Sequence, residues 1–343
     1  MSSSIGGANV ASGNYIQGYT NNPANIGLYK LSLLQTNYVN SEFDTEGTLI
    51  SDGFLGGVNW IVPITVYRGS LAFGAGINTE SHFSSTANWD GIEYNESGFL
   101  KSKSIYFSVE FSEKLFIGSE LKYYSGEDKM TEMEISTGDV HHYNPDFNGW
   151  GFVFGLLKKI NNKFNFGMSI ELPLKFKVKD KYSEWNMNDV TSEYSDIWNY
   201  DVIRPVVSHL GFSYNGKIIN VFYETEFTNW KNLEFKSNEY YTSDIFEINT
   251  QIRDEFKTTR CHYIGVGFHP EKIPVNIYFG YQHLPVPFTD TYKSDKKESL
   301  SLGASYVIAN NISIQGCYKL YKWEYENIPE QYEQLSFGVS LHY

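Results

Sequence analysis

The sequence predicts an all-β fold, a fourteen-stranded antiparallel β-barrel that spans a bilayer. Three observations predict it. Large apolar residues alternate with small or polar ones along successive segments, the connections between these segments are alternately short and long, and aromatic residues make up 17% of the 343 residues. Successive side chains of a strand point to opposite faces, so each segment has one apolar and one polar face. An even strand number, short turns on one side and aromatic girdles are typical of outer-membrane barrels.

The last segment, Leu335–Tyr343, shows the alternation most clearly. A tilted strand needs about 9–11 residues to cross a bilayer, and this segment is of that length. We expect its apolar set to face lipid, its other residues to face the interior, and the strand to close the barrel against the first one. The apolar set is Leu335, Phe337, Val339, Leu341 and Tyr343, and the interior set is Ser336, Gly338, Ser340 and His342.

The remaining segments follow the same rule. The predicted strands are, in chain order, Gly27–Val39, Leu55–Tyr67, Gly69–Glu80, Leu100–Phe111, Lys114–Gly126, Phe147–Ile160, Lys163–Lys179, Val202–Tyr214, Lys217–Trp230, Arg260–His269, Val275–Leu284, Ser299–Ile308, Ile312–Trp323 and Glu333–Tyr343. Asn215-Gly216 is the strongest hairpin signal among the short turns, and Asn161-Asn162 also tolerates a tight turn. Pro63 and Pro205 cannot donate to a ladder, so we expect a break at Pro63 and the start of the eighth strand at Pro205.

Seven longer connections are polar and should form loops on the outer side of the membrane. They cover residues 40–54, 81–99, 127–146, 180–201, 231–259, 285–298 and 324–332. The strict alternation of short and long connections places both termini on the short-turn, periplasmic side. The acidic residues of these loops, such as Glu239, Asp244, Glu247, Asp254 and Glu255, indicate a solvated face that could bridge lipopolysaccharide through divalent ions.

Composition excludes several classes of protein. No run of about 18 apolar residues is present, so a transmembrane helix is excluded. The net charge of −13 and the lack of a basic stripe argue against nucleic-acid binding. Cys261 and Cys317 have no metal-ligand spacing. No apolar signal-peptide region follows Met1, so we expect an exported protein in its mature form.

The first residues differ from the rest of the chain. Residues 1–26 are rich in Gly, Ala and Asn and have no strand periodicity, whereas residues 27–343 carry the barrel pattern. Since this segment begins on the periplasmic side, it either extends freely or folds back into the lumen as a plug.

Two short motifs in this segment carry a resemblance to a known family. Gly6-Gly7-Ala8 lies near the start, and Asn22-Pro23-Ala24 precedes the first predicted strand. Together they resemble the N-terminal hatch of the long-chain fatty acid transporter family of outer membranes, the FadL/TodX group. The stretch 222–230, which ends on a Trp, also looks like that family's ninth strand. PorV-like secretion-associated barrels share the hatch pattern, so the motifs do not separate the two groups.

The resemblance implies a fourteen-stranded barrel that takes up hydrophobic small molecules. It implies that the ligand leaves sideways through a gap at a kink in the third strand, under the control of the hatch. Gly74 and Gly76 lie on the inward face of the third predicted strand, and Gly within a strand is typical of a bulge or a close approach. They are the candidate lateral gate, although they could equally be small residues that make room for the plug.

Interior charges are the remaining candidate site residues. Glu171, Lys175, Glu224 and Glu226 are predicted to face the lumen, where carboxylates would pair with Lys175, Lys177 or Lys319 and hold the plug. No spacing ties a nucleophile to a base, so we predict no catalytic site and no enzyme. His141-His142 with Asp139 and Asp146 is a weak metal motif, because spacing alone fixes no geometry. We therefore predict no metal and no cofactor.

We expect a monomeric outer-membrane transporter for passive uptake of hydrophobic, fatty-acid-like or aromatic compounds. The alternative is a PorV-like barrel that binds secreted protein cargo at its outer loops, and a third option is a structural or adhesion barrel. The sequence does not name the ligand.

Overall fold

The computed structural model describes residues 2–13, 19–45, 48–89, 91–237, 242–289, 296–309, 311–325 and 328–343. Within them the chain forms fourteen antiparallel strands, three of which are interrupted. The strands are β1 (Leu33–Thr45), β2 (Thr48–Ile64), β3 (Leu71–Trp89), β4 (Ile92–Ser112), β5 (Leu115–Glu134), β6 (Asp139–Lys159), β7 (Phe164–Glu171 and Leu174–Asn186), β8 (Asp189–Arg204 and Val207–Asn215), β9 (Ile219–Asn229, with an extension at Glu234–Lys236), β10 (Thr258–Phe268), β11 (Val275–Pro285), β12 (Lys296–Ala309), β13 (Ile312–Tyr325) and β14 (Ile328–His342).

The sheet is closed, because β1 pairs with β2 on one side and with β14 on the other. The β1–β14 ladder runs from the pair Leu33/His342 to the pair Asp44/Gln331. The closing role predicted for the last strand is therefore confirmed. The predicted faces also agree, since Phe337 and Val339 are exposed on the outside and Ser340 is buried inside.

The predicted start of the first strand is wrong. Pro23–Leu28 form a turn of 3₁₀ helix, and β1 begins at Leu33 rather than at Gly27. All six residues of this turn are buried. In so short a stretch, apolar residues buried inside the barrel and apolar residues of its wall give similar sequence patterns. Periodicity therefore could not tell this turn from the start of a strand.

Five of the seven predicted long connections are mostly strand in their described residues, the exceptions being 231–259 and 285–298. β3 ends at Trp89 and β4 begins at Ile92, while β5 ends at Glu134 and β6 begins at Asp139, so the hairpins extend well beyond the apolar stretches. Both faces of these extensions are largely polar, which hid them from a search for alternating apolar residues. Cross-strand aromatic pairs stabilise them: the ring of Tyr182 lies 5.1 Å from that of Tyr143 and 5.5 Å from that of Trp198.

Two prolines behave differently from the prediction. Pro63 lies one residue before the end of β2 and still has Ala72 as a ladder partner. Pro205 does not start β8 but divides it, because β8 stops at Arg204 and resumes at Val207. A missing N–H is tolerated at a strand end or a break.

The connection between β9 and β10 contains a helix, α1, at Thr242–Glu255. The Asn249 side chain fixes it to the β9 extension by bonding to both the N–H and the C=O of Phe235, each at 2.8 Å. Asp244, Glu247, Asp254 and Glu255 belong to α1, whereas Glu239 lies outside the described residues. None of the described helices has the length and apolar character to cross a membrane.

Candidate functional site

The N-terminal segment, residues 2–13 and 19–28, lies against the inner wall of the barrel. Ile5, Val10 and Ile26 have no exposed surface. Inward-facing glycines of the wall let the segment approach. A Cβ on Gly155 of β6 would lie 2.0 Å from Asn22 Oδ1, and a Cβ on Gly280 of β11 would lie 2.0 Å from the Gly6 nitrogen. Gly118, Gly167 and Gly303 are in similarly close contact with the segment.

The backbone angles and close contacts of Gly6-Gly7-Ala8 explain why these positions hold small residues. Gly6 and Gly7 have φ of +62° and +78°, a region that favours glycine. A Cβ on Gly6 would also lie 2.7 Å from the Tyr281 nitrogen. Gln282 Nε2 donates to Gly6 O at 2.9 Å, which fixes the turn to β11. Ala8 is buried in a small apolar cluster that includes Phe222.

Asn22-Pro23-Ala24 forms a second anchor. Asn22 Oδ1 accepts from the Ala24 N–H at 3.1 Å, and its Nδ2 donates to Val10 O at 2.7 Å and to Leu156 O at 3.0 Å. Pro23 occupies the start of the 3₁₀ turn, where its missing N–H and fixed φ are suitable. Ala24 is fully buried, and its carbonyl accepts from Ser108 Oγ at 3.1 Å.

Glu224 of β9 binds the backbone of the segment. It is 0% exposed, and its Oε2 accepts from the N–H groups of Asn9 and Val10, both at 2.7 Å. Its Oε1 accepts from Asn21 Nδ2 at 3.3 Å and lies 2.8 Å from His209 Nδ1. A buried carboxylate needs such partners, since an unpaired buried charge is costly.

Glu171 and Glu226 lie elsewhere in the lumen, whereas the prediction for Lys175 is wrong. Lys175 is exposed on the outer face of the wall beside its ladder partner Trp150, because the break between the two parts of β7 at residues 172–173 exchanges the inward and outward positions. All three have different partners from those expected. Glu171 pairs with Arg204 and accepts from Tyr124. Glu226 accepts from Tyr263 OH at 2.7 Å. Lys175 pairs with Asp201 at 2.6 Å and with none of the predicted carboxylates. Of the four, Glu224 alone contacts the N-terminal segment among the described contacts.

A cavity of about 680 Å³ lies between the N-terminal segment and the outer part of the barrel. Its base is formed by Tyr19, Thr20 and Asn21. Tyr19 is fully buried and donates to Gln35 Oε1 at 2.9 Å. Burial raises the pKa of the Tyr19 phenol well above its usual range, so the group stays a neutral donor. Its ring packs edge-on against Tyr106, with centroids 5.7 Å apart.

The two sides of the cavity differ in polarity. Inward side chains of the β1–β2 hairpin include two apolar ladder pairs, Val39/Phe54 and Phe43/Ile50, which are separated by the polar pair Ser41/Asp52. We call the four apolar residues the apolar stripe. The opposite lining is polar and charged, and it includes Glu80, Glu120, Lys122, Glu171 and His209.

The wall beside the apolar stripe is not continuously paired. The β2–β3 ladder runs from the pair Ile64/Leu71 to the pair Gly57/Asn78, and among the described residues no pair follows it. Beyond this point β2 still pairs with β1, and β3 still pairs with β4. Residues 48–56 of β2 and 79–89 of β3 thus border a seam, which we call the β2–β3 seam.

Bulges in both strands accompany the seam. The register of β2 against β1 shifts between Gly57 and Leu55, and the register of β3 against β4 shifts between Thr79 and Ser81. A bulge bends its strand and increases the local twist. Two bulges at one level therefore account for the separation of the two hairpins. The bulge residue Glu80 lines the cavity.

Side chains bridge the seam where backbone bonds are missing. Thr79 Oγ1 donates to Leu55 O at 2.8 Å. His82 Nδ1 lies 2.8 Å from Asp52 Oδ2, and the His82 ring stacks on Phe54 with centroids 4.6 Å apart. Both members of the His82–Asp52 pair are partly exposed, so the bridge is a weak one.

The predicted gate glycines lie just below the seam. Gly74 and Gly76 are paired on both sides, with Ile61 and Asn59 of β2 and with residues of β4. A Cβ on Gly76 would lie 1.9 Å from Asn59 Oδ1, so this glycine provides room for an interior side chain. The predicted glycines lie on β3, one of the two strands that border the seam, whereas Asp52 and His82 fell within predicted loops. The Gly56-Gly57 pair was the available signal, since paired glycines in a strand indicate a bulge.

The weak metal motif lies on outer strand extensions. His141 Nδ1 lies 2.9 Å from Tyr182 OH, and His142 Nδ1 lies 3.0 Å from Thr131 Oγ1. Asp146 pairs with Lys181, and Asp139 accepts from an amide side chain. The described residues contain no group of three or more His, Cys, Asp or Glu that could hold a metal ion.

Comparison with solved structures identifies the fold. The monoaromatic hydrocarbon channel CymD superimposes with a TM-score of 0.72 at 12% identity, covering 100% of this chain and 96% of that chain. The toluene transporter TodX of Pseudomonas putida gives 0.72 at 13%, with 100% and 96% covered. A FadL homologue of Pseudomonas aeruginosa gives 0.72 at 12%, with 99% and 97% covered. The chain has the fold of the FadL/TodX channels.

No protein-family model and no curated protein sequence matches the chain. At 12–13% identity the FadL/TodX likeness concerns the backbone alone. The ligand and the path it takes have to be argued from the cavity, the β2–β3 seam and the N-terminal segment of this chain.

Proposed function

We propose that the chain is an outer-membrane channel for passive uptake of hydrophobic small molecules, with the N-terminal segment as its hatch and the β2–β3 seam as its lateral exit. The observation that carries the proposal is the position of the cavity. It is bounded by the N-terminal segment at Tyr19 and bordered by the unpaired strands at Asp52 and His82. The fold shared with hydrocarbon and toluene channels is consistent with this function.

The apolar stripe gives a hydrophobic ligand a reason to leave sideways. Phe54 belongs to the stripe and also borders the seam, so apolar surface continues from the cavity to the opening. Continued burial keeps roughly 0.8 kcal/mol per methylene that exposure to water would cost. A path through the N-terminal segment would instead cross Glu224 and the polar groups bound to it.

The seam can be tested by locking it. The Asp52→Cys/His82→Cys pair, in a background with Cys261 and Cys317 replaced by Ala, should be joined by a short bis-methanethiosulfonate cross-linker that reduction removes, because the tips of the longer native side chains touch across the seam. The matched control is Thr86→Cys/Asn95→Cys, whose native side chains lie 3.2 Å apart across a continuous ladder.

Uptake of a labelled aromatic hydrocarbon into cells carrying the intact protein is the readout. We expect cross-linking to stop uptake in the seam variant, reduction to restore it, and neither treatment to affect the control. Equal uptake by the cross-linked and the reduced seam variant would refute the lateral exit. Absence of uptake by the unmodified chain would refute the transport function and leave the cargo-binding alternative.

A further inference from the structure

The charged part of the cavity lining indicates which ligands the channel takes. Its formal charges are four carboxylates and one amine, with two imidazoles beside them. The carboxylates belong to Asp52, Glu80, Glu120 and Glu171, the amine to Lys122, and the imidazoles to His82 and His209. Glu171 is compensated by Arg204, so three carboxylates and one amine remain, and the cavity carries more negative than positive charge.

The amine and both imidazoles of the lining already have an anionic partner. His82 lies on Asp52 and His209 lies on Glu224. Lys122 Nζ is 3.9 Å from Glu120 Oε1, and the two side chains project from the same strand two residues apart. A basic group of the lining could therefore bind a ligand carboxylate only after it releases its own anionic partner.

Glu80 and Glu120 supply acceptors instead. The β3 bulge turns Glu80 into the cavity, where it is exposed and accepts one hydrogen bond, from Ser102. Glu120 is only 2% exposed, and its Oε2 has no hydrogen-bond partner among the described residues. A buried carboxylate oxygen without a donor favours a ligand that brings one.

We infer that this cavity accepts hydrophobic compounds whose polar end is an uncharged hydrogen-bond donor or a cation, and that it discriminates against carboxylates. The apolar stripe would hold the hydrocarbon part, and Glu80 with Glu120 would face the polar end. The inference rests on the proposed function and specifies its substrate class. It separates carboxylate-bearing, fatty-acid-like ligands from aromatic ligands whose polar end is uncharged or cationic, two groups that the sequence left together.

The test uses three probes with the same apolar part: 4-propylbenzyl alcohol, 4-propylbenzylamine and 4-propylbenzoate. Their binding to the intact protein is measured by displacement of a fluorescent apolar dye, and their uptake is measured against protein-free vesicles at pH 7. We expect the alcohol and the amine to bind and enter at least about tenfold better than the benzoate, since like charges repel strongly away from bulk water.

The Glu80→Gln/Glu120→Gln variant should reduce this preference to about twofold or less, because it removes both carboxylate acceptors and the negative charge of the lining at these positions. Glu234→Gln is the matched control, since Glu234 lies on the outer extension of β9 in an exposed pair with Lys236. Benzoate uptake equal to or above that of the alcohol, or an unchanged preference in the double variant, would overturn the inference while transport stands. Failure of all three probes to enter would instead refute the proposed function.

Discussion

Removal of the Glu224 carboxylate should release the N-terminal segment. Glu224→Ala leaves the N–H groups of Asn9 and Val10 without their acceptor inside the barrel. Hydrogen bonds to a charged group contribute about 1.5–3 kcal/mol each, so the two together contribute about 3–6 kcal/mol to docking of the segment. The Asn21 and His209 contacts are lost in addition.

Hydrogen exchange of the purified protein measures this loss at the affected groups. Even the lower bound of about 3 kcal/mol corresponds to an increase of roughly 100-fold in the opening equilibrium of the segment. We therefore expect the amides of Asn9 and Val10 to exchange about 100-fold faster in Glu224→Ala. Amides in the middle of the β4–β5 ladder should keep their protection, because the wall is not altered.

Glu234→Gln is the matched control for this experiment. Glu234 lies on the extension of β9, and it pairs with the exposed Lys236 rather than with the N-terminal segment or with His209. In this control variant the amides of Asn9 and Val10 should exchange as in the unmodified chain. Unchanged exchange in Glu224→Ala would show that the carboxylate does not hold the segment, and a change in both variants would show a general loosening of the barrel.

Two further substitutions test the wall on either side of the cavity. Gly155→Val should displace the N-terminal segment and raise ion conductance in planar bilayers several-fold, because its Cβ would overlap Asn22 Oδ1. Gly316→Val is the control and should leave conductance unchanged, because its Cβ would lie 3.9 Å from its nearest neighbour. His82→Ala should raise hydrocarbon uptake by about 1.5- to 5-fold, because a partly exposed pair with Asp52 contributes about 0.2–1 kcal/mol to a closed seam. Uptake that falls in His82→Ala would show that the pair supports transport rather than restrains it.

The wall of the barrel follows from the sequence, whereas most of the interior does not. Alternation along Leu335–Tyr343 sets which side faces outward, and the same rule locates the other strands. It could not locate the outer extensions, which have polar residues on both faces. It also could not show that Pro205 divides a strand, since a proline fits a strand end and an internal break equally well.

The interior depends on residues far apart in the chain. Gly6-Gly7-Ala8 and Asn22-Pro23-Ala24 were identified by resemblance, and their buried contacts explain their composition. Glu224 was predicted as an interior charge, but its partners were not. Its hydrogen bonds to the backbone N–H groups of Asn9 and Val10 join positions more than 200 residues apart. Its contact with His209 was not predicted either. No local pattern encodes such a contact.

The β2–β3 seam also changes how the outer wall can move. Beyond the pair Gly57/Asn78, each of the two hairpins beside the seam is joined by a backbone ladder along one long side only: β1–β2 to β14, and β3–β4 to β5. Either hairpin can tilt away from the other without breaking a main-chain hydrogen bond, and the pair Gly57/Asn78 would be the pivot. The wall that contains the β2–β3 ladder is thus held by main-chain pairing, whereas beyond the pair Gly57/Asn78 the two hairpins are free to move separately.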